Sequence, residues 1–252
     1  MLAIANQKGG VGKTTTSVNL AACLARQGFS ILLIDLDAQA NATSGLGLEK
    51  TEGGSVYRPL LGEGTLAERI KPTSISGLSI VASELDLCGA EVELARAPDY
   101  LNRLRTALEP LRNSPGYDLI LLDCPPSLGI LTLNAFSAAD RLLVPLQCEY
   151  FALEGVAMIT RILNQVRDTG INPTLSLLGI VMTMFDGRTR LSQNVVGEVR
   201  QHFAELVFDT VIPRTTRLAE APSFGKPIVT YDPYSAGAAA YDVLATEVAQ
   251  RL

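Results

Sequence analysis

The nine residues from Gln7 to Thr15, QKGGVGKTT, constrain what this chain can fold into more than any other segment. They follow a short apolar run, 3–6. They open a stretch, 15–27, in which Val18, Leu20, Ala21, Leu24 and Ala25 recur at helical spacing and Gly28 marks the stop. A glycine-rich turn between a strand and a helix start is an anion cradle. Gly9, Gly10 and Gly12 allow backbone conformations in which successive N–H groups point inward, and a Cβ would block them. The helix start adds partial positive charge. Lys13 can reach the β- and γ-phosphates of a nucleotide, and the Thr14 hydroxyl can ligate Mg2+. The expected ligand is therefore ATP with Mg2+, held by Gly9, Gly10, Val11, Gly12, Lys13, Thr14 and Thr15. The segment departs from the commonest phosphate-loop pattern: Gln7 stands where the first glycine would fall, and an additional lysine, Lys8, precedes the glycines.

Beyond this loop, continuous apolar runs alternate with amphipathic stretches. Strands are expected over 30–35, 78–82, 117–123, 141–146, 175–183 and 206–212, and helices over 91–111, 153–166, 191–203 and 236–251. The glycine-rich span 45–77 reads as loops and short helices. This alternation predicts an α/β fold: a doubly wound, mostly parallel sheet with helices on both faces, residues 1–252 forming a single P-loop ATPase domain. The chain has 47% hydrophobic residues but no Trp and few aromatics, so aliphatic side chains must fill the core, as suits a sheet buried on both faces.

Three aspartates stand at or just past strand ends. Asp123 ends the run YDLILLD, where a carboxylate beside a phosphate loop holds Mg2+ directly or through water. Asp35 and Asp37, two apart in IDLD, share one side of an extended chain. Either could position an attacking water, and one of them could instead cap the following loop. Asp118, at the opposite end of its strand, reads as solvated.

Taken together, KGGVGKTT, LLIDLDAQANATSGLG and LLDCPPS resemble the ParA-type deviant-Walker ATPases, a group related to MinD-type division regulators and nitrogenase iron proteins. QCEYFALEG, TMFDGRT and VIPRTTRLAEAPSFGKPI resemble the chromosomal branch, often called Soj, and the likeness spans nearly the whole chain. The resemblance implies an ATP-dependent DNA-segregation ATPase. In this scheme ATP drives a sandwich homodimer that binds double-stranded DNA without sequence preference, and a ParB-type centromere-binding partner stimulates hydrolysis. It also implies roles. Lys8 would reach the partner subunit's phosphates, Gly9 would sit at the dimer contact, and Asp37 would serve hydrolysis. Asp35 and Asp123 would stand on the Mg2+ side, Pro213 and Arg214 would close over adenine and ribose, and Arg188 and Arg217 would bind DNA. Thr215 departs from the asparagine common among relatives near the base. The chain opens directly on its first strand, so sequence-specific operator binding is not expected.

The remaining features weigh the rivals. Net charge is −5, and residues 186–226 carry six Lys/Arg against five Asp/Glu, a slight enrichment that composition alone reads as a mixed solvated surface. No apolar run reaches the roughly 20 residues of a membrane span, and no secretory signal opens the chain. The expected location is cytoplasmic and nucleoid-associated, without a membrane partner. A MinD-like membrane-associated positioning ATPase, the alternative, needs a C-terminal helix with a basic polar face; the end of this chain, YDVLATEVAQRL, carries one basic residue. Cys23, Cys88, Cys124 and Cys148 are scattered, as expected of reduced buried thiols rather than of a cluster site. The lone His202 reads as structural, and Tyr150 and Phe151 as core or interface residues.

Overall fold

The computed structural model of the chain describes residues 1–112 and 114–252. Its strands are β1 (Leu2–Ile4), β2 (Ile31–Asp35), β3 (Ile70–Pro72), β4 (Leu78–Val81), β5 (Leu119–Asp123), β6 (Arg141–Gln147), β7 (Ser176–Phe185) and β8 (Val207–Pro213). They form one sheet in the order β3-β4-β2-β5-β1-β6-β7-β8, parallel throughout except for the antiparallel β3–β4 pair. The helices between them are α1 (Lys13–Arg26), α2 (Asn41–Gly45), α3 (Tyr57–Leu61), α4 (Leu87–Leu94), α5 (Arg103–Arg112), α6 (Ile130–Ala138), α7 (Ala152–Asp168), α8 (Arg190–Phe203), α9 (Thr216–Glu220), α10 (Ile228–Tyr231) and α11 (Ala236–Arg251).

Strand periodicity divides the buried side chains into two cores. Leu2, Ile4, Ile31, Leu33, Leu119 and Leu121 point to one face, where α1 and α11 pack with Leu20, Leu24, Tyr241 and Leu244. Their neighbours Ala3, Leu32, Ile34, Ile120 and Leu122 point to the other face, covered by Leu104, Leu108, Phe136, Ile159 and Val199 of α5 to α8. Both faces are dry, which is why these strands read as unbroken apolar runs. The apolar side of α11 (Tyr241, Leu244, Ala245, Val248) is buried in the first core, and no helix among the described residues is long and apolar enough to cross a membrane.

Most expected elements are present with ends shifted by at most two residues, and four differences have physical causes. The helix expected over 91–111 is two helices, α4 and α5, because Pro98 disfavours helix before it and Asp99 adopts a left-handed φ of 53°. Helix α6 was not expected: it is buried almost all round, so its apolar residues show no amphipathic period. Strand β3 was hidden in the span read as loops and short helices. It is three residues long, partly exposed and ends on a proline. Asp118 is exposed as expected, but its Oδ2 accepts the Ser30 N–H at 2.7 Å and so ties the starts of β2 and β5 together.

Both sheet edges are closed to further pairing. Pro72 lacks an N–H on the β3 side. On β8, Glu247 of α11 accepts the N–H groups of Asp209 and Thr210 at 3.0 Å each, while Arg200 and Arg251 donate to the carbonyls of Asp209 and Val207 at 2.9 and 3.1 Å.

Phe136 is fully buried where α6 meets the second core. Phe136→Ala removes that volume without a partner to refill it. It is expected to lower unfolding free energy by about 3–5 kcal/mol, read as a lower urea midpoint with an unchanged slope.

Candidate functional site

The site lies beyond the C-terminal ends of β1, β2, β5 and β7, where parallel sheets present their loops. The turn after β1 is held from three sides. Asn6 donates through Nδ2 to the Pro145 carbonyl at 2.8 Å, and its Oδ1 accepts the Lys8 N–H at 3.0 Å. The Thr183 hydroxyl donates to the Val11 carbonyl at 2.8 Å. Gly10 and Gly12 take φ of 76° and 85°, a region that side chains resist, so the expected glycine requirement is met at these two positions. Helix α1 then starts at Lys13, and the Thr16 N–H reaches the Gly12 carbonyl at 2.8 Å.

These elements enclose a cavity of about 350 Å3 lined by Gly9, Gly10, Gly12, Lys13, Thr14, Thr15, Asp37, Gln39, Asn41, Pro126 and Met184. Lys13 is 7% exposed, and burial pulls its ammonium below its usual range while Asp123, Cys124 and Asp37 pull it back. Its Nζ donates to the Lys8 carbonyl at 3.1 Å. A buried cation that donates to a neutral carbonyl oxygen favours an anion in the cavity.

The carboxylates divide by position. Asp35 and Asp123 are register partners on adjacent strands, and both side chains are fully buried. Asp35 accepts the Thr43 N–H and hydroxyl at 2.9 and 2.7 Å through Oδ2, and the Asp37 N–H at 3.2 Å through Oδ1. Its oxygens thus organise the loop that carries Asp37. Asp123 accepts the Ser17 hydroxyl at 2.7 Å through Oδ1, and its buried Oδ2 has no partner. Burial raises the pKa of both; the Asp35 charge raises Asp123 further while the Ser17 and Thr14 hydroxyls pull it back down, and the hydrogen bonds from Thr43 and the Asp37 N–H pull Asp35 back down. A Mg2+ ion fits this place: an orphaned buried acceptor beside the first turn of α1, with the Thr14 hydroxyl near it. Among the described residues, no group of three or more His, Cys, Asp and Glu is set to hold a metal, so protein ligands here would be few and phosphate oxygens and water would complete the shell. Asp37 lines the cavity and also caps the turn after it, its Oδ1 accepting the Gln39 N–H at 3.0 Å. The loop-capping role expected of one aspartate in IDLD thus falls to Asp37.

The other sequence candidates lie around this centre. Lys8 is not among the cavity-lining residues; its Nζ pairs with Glu149 Oε2 at 2.7 Å, both side chains being 47% exposed. Tyr150 and Phe151, 79% and 58% exposed, do not join the core. Pro213 ends β8 and Arg214 donates its N–H to the Phe185 carbonyl at 2.9 Å, outside the phosphate cavity. Thr215 caps α9, its hydroxyl accepting the Leu218 N–H at 3.2 Å. Arg188 is 90% exposed and forked onto Asp186, at 2.9 Å from Nε and 2.7 Å from Nη2. Arg217 lies 3.3 Å from both Glu220 and Asp232. Both arginines stand just past the C-terminal ends of neighbouring strands, β7 and β8. His202 Nδ1 meets the Glu198 carbonyl of its own helix at 2.8 Å, as a structural histidine does. Cys23, Cys124 and Cys148 are buried, but Cys88 is exposed.

Sequence reasoning missed Gln39, Asn41, Pro126 and Met184 among the lining residues. Ala40 and Met184 take left-handed φ of 54° and 53° without being glycine, and such strain clusters at functional sites. No local sequence signal marks either.

A family model described as an AAA domain matches residues 1–177. The chain is 55% identical over 251 residues to the chromosome-partitioning ATPase Soj of Thermus thermophilus, covering 100% of this chain and 96% of that protein. It is 48% identical over 252 residues to the chromosome partitioning protein ParA of Caulobacter vibrioides, covering 100% and 94%. The chain belongs to the ParA/Soj family of chromosome-partitioning ATPases. A solved structure described as cobyrinic acid a,c-diamide synthase of Mycobacterium smegmatis, with bound ATP analogue and magnesium, superposes with a TM-score of 0.84 at 37% identity, over 99% of this chain and 93% of that one. This ParA/Soj chain thus shares its fold with a protein that holds the ligand pair its own cavity fits.

The paired aspartates give a pH signature. A carboxyl whose folded pKa lies above its unfolded value binds more protons when folded, so stability is lost as pH rises past the ordinary carboxylate value of 3.8. In metal-free buffer the parent is expected to lose stability between about pH 5 and about pH 8, and Asp123→Asn to lose less, by on the order of 2 kcal/mol. Urea titrations of both proteins at the two pH values check this, and added Mg2+ should narrow the gap.

Proposed function

We propose that this chain is a nucleotide-driven DNA-segregation switch, folded as one P-loop domain over residues 1–252. ATP with Mg2+ occupies the cavity at the start of α1, two chains close over two nucleotides, and the dimer binds double-stranded DNA without reading its sequence. Hydrolysis, stimulated by a ParB-type partner, resets the switch. The observation that carries this reading is the division of labour between two lysines: Lys13 lines the cavity, and Lys8, five residues earlier, points out of it.

Each residue has a task in this reading. The N–H groups of the loop from Gly9 to Thr15 hold the phosphates, and Lys13 neutralises them where burial has already stripped it of water. Thr14 and Asp123 hold Mg2+, which when bound screens the phosphate charge, and Asp35 orders the loop bearing Asp37. Asp37 positions the attacking water through a carboxylate aimed at the cavity. Gly9 keeps the loop bare for close approach of the second chain. Lys8 crosses to the partner's phosphates, as an arginine finger does in trans. Pro213 and Arg214, beside the end of β7, border the base. Arg188 and Arg217 contact DNA phosphates after exchanging their present carboxylate partners. Two such pairs per dimer make binding multivalent and dependent on ATP. DNA binding of this kind would associate the protein with the nucleoid. A membrane-positioning role is less well supported, since the apolar side of α11 is already buried against the sheet.

Lys13→Ala is expected to lose ATP binding in calorimetry. Asp37→Ala should bind ATP but lose at least about a hundredfold in turnover, accumulating as dimer by light scattering. Normal turnover by Asp37→Ala would remove its role. Arg188→Glu and Arg217→Glu should keep ATP-dependent dimerisation and weaken DNA binding equally on every sequence tested. Parent affinity should fall steeply with salt. A sequence-selective loss in a gel-shift series would rule out phosphate contacts as the function of these arginines.

A further inference from the structure

The side chain of Lys8 has a partner in the single chain, and that partner is itself held in place. Glu149, 141 residues further on, sits in the turn between β6 and α7. One of its oxygens takes Lys8 Nζ at 2.7 Å, and the other accepts Gln147 Nε2 at 2.6 Å. Its backbone N–H donates to the Gln147 carbonyl at 2.8 Å, and its carbonyl accepts the Ala152 N–H at 3.0 Å. On the opposite side, Asn6 fixes the Lys8 backbone and is tied to Pro145 of β6. Lys8 and Glu149 therefore leave adjacent parallel strands, β1 and β6, at the same end of the sheet. Their meeting follows from the strand order. Beside them Tyr150 and Phe151 stack edge to face, with ring centroids 5.2 Å apart, on an otherwise uncovered turn.

The geometry points to Glu149 as the positioning residue that holds Lys8 on its own subunit until a second copy of the chain arrives. Forming the ATP-bound dimer then exchanges the Lys8–Glu149 pair for a Lys8–phosphate contact across the interface. This inference rests on the reading of Lys8 given above. The exchange is feasible because the pair is half exposed. Such pairs favour the closed form by a factor of about 1.5 to 5, small beside what a triphosphate offers a lysine. Two lysines move per dimer, so the factor enters twice, making about 2- to 25-fold in the dimerisation constant. Nucleotide also reaches Lys8 from within its own chain. Lys13 Nζ donates to the Lys8 carbonyl, and a phosphate that draws Lys13 inward removes that tie. Glu149, outside the phosphate cavity of its own chain, thus sets the concentration at which ATP produces dimers.

The test is sedimentation velocity in MgATP across a protein concentration series, in an Asp37→Ala background so that turnover does not drain the dimer. Glu149→Gln keeps the side-chain shape and removes the charge. The dimerisation midpoint is expected to fall to about 2- to 25-fold lower protein concentration. The gap from the parent should close at high salt, where an exposed pair is screened. Lys8→Ala should stay monomeric with or without Glu149→Gln, showing that the gain needs the lysine. If Glu149→Gln dimerises equally or less readily while Lys8→Ala is monomeric, the holding role is overturned and the sandwich reading stands. If Lys8→Ala dimerises like the parent, the reading beneath the inference fails and the inference falls with it.

Discussion

Everything at the functional end of this molecule depends on one short strand held between two others. β1 is three residues long and fully buried, and it pairs in parallel with β5 on one side and β6 on the other. The loop that follows cannot drift, because both neighbours deliver their own contacts to it: β5 brings Asp123 to Ser17 of α1, and β6 brings Pro145 to Asn6 and Glu149 to Lys8. A third strand, β7, holds the Val11 carbonyl through Thr183. With the backbone so fixed, Gly10 and Gly12 hold left-handed conformations and the turn lines one cavity.

The same confinement explains the electrostatics. Parallel pairing puts Asp35 and Asp123 side by side at the ends of β2 and β5, out of reach of water. Asp35 is compensated by hydroxyl and N–H donors. Asp123 is compensated at one oxygen only, and Lys13, whose charge Asp123 supports, is itself weakened by burial. A site with two crowded carboxylates and a desolvated lysine is poorly balanced alone and well balanced with a metal–phosphate pair. The free protein carries this imbalance as latent binding energy.

The parts legible in the sequence were those whose signal is local. The phosphate loop could be read because glycine spacing, a preceding apolar run and a helical start occur together within about twenty residues. The core strands could be read because burial on both faces leaves unbroken aliphatic runs. What stayed hidden depended on distant partners. α6 has no amphipathic face because the fold wraps it on nearly all sides. Met184 and Asn41 join the cavity only through sheet order and a tight turn. Glu149 lies in the segment QCEYFALEG, but nothing local marks what it pairs with; only the adjacency of β1 and β6 makes it the partner of Lys8. The acids facing Arg188 and Arg217 were countable in the sequence, but the count gave no pairing, and the pairing decides how much free positive charge the surface shows.

Closure of the sheet edges has a consequence for how copies of this chain can assemble. An open edge strand invites another chain to add a strand, the route by which β-rich surfaces grow into ribbons and aggregates. Here one edge is a three-residue strand ending in proline, and the other has N–H and C=O groups already occupied by Glu247, Arg200 and Arg251. Growth by backbone addition is therefore disfavoured at both edges. Any association between copies is left to side-chain surfaces and to the loops at the strand ends. A chain protected in this way can be concentrated on a large polymer without its sheets fusing.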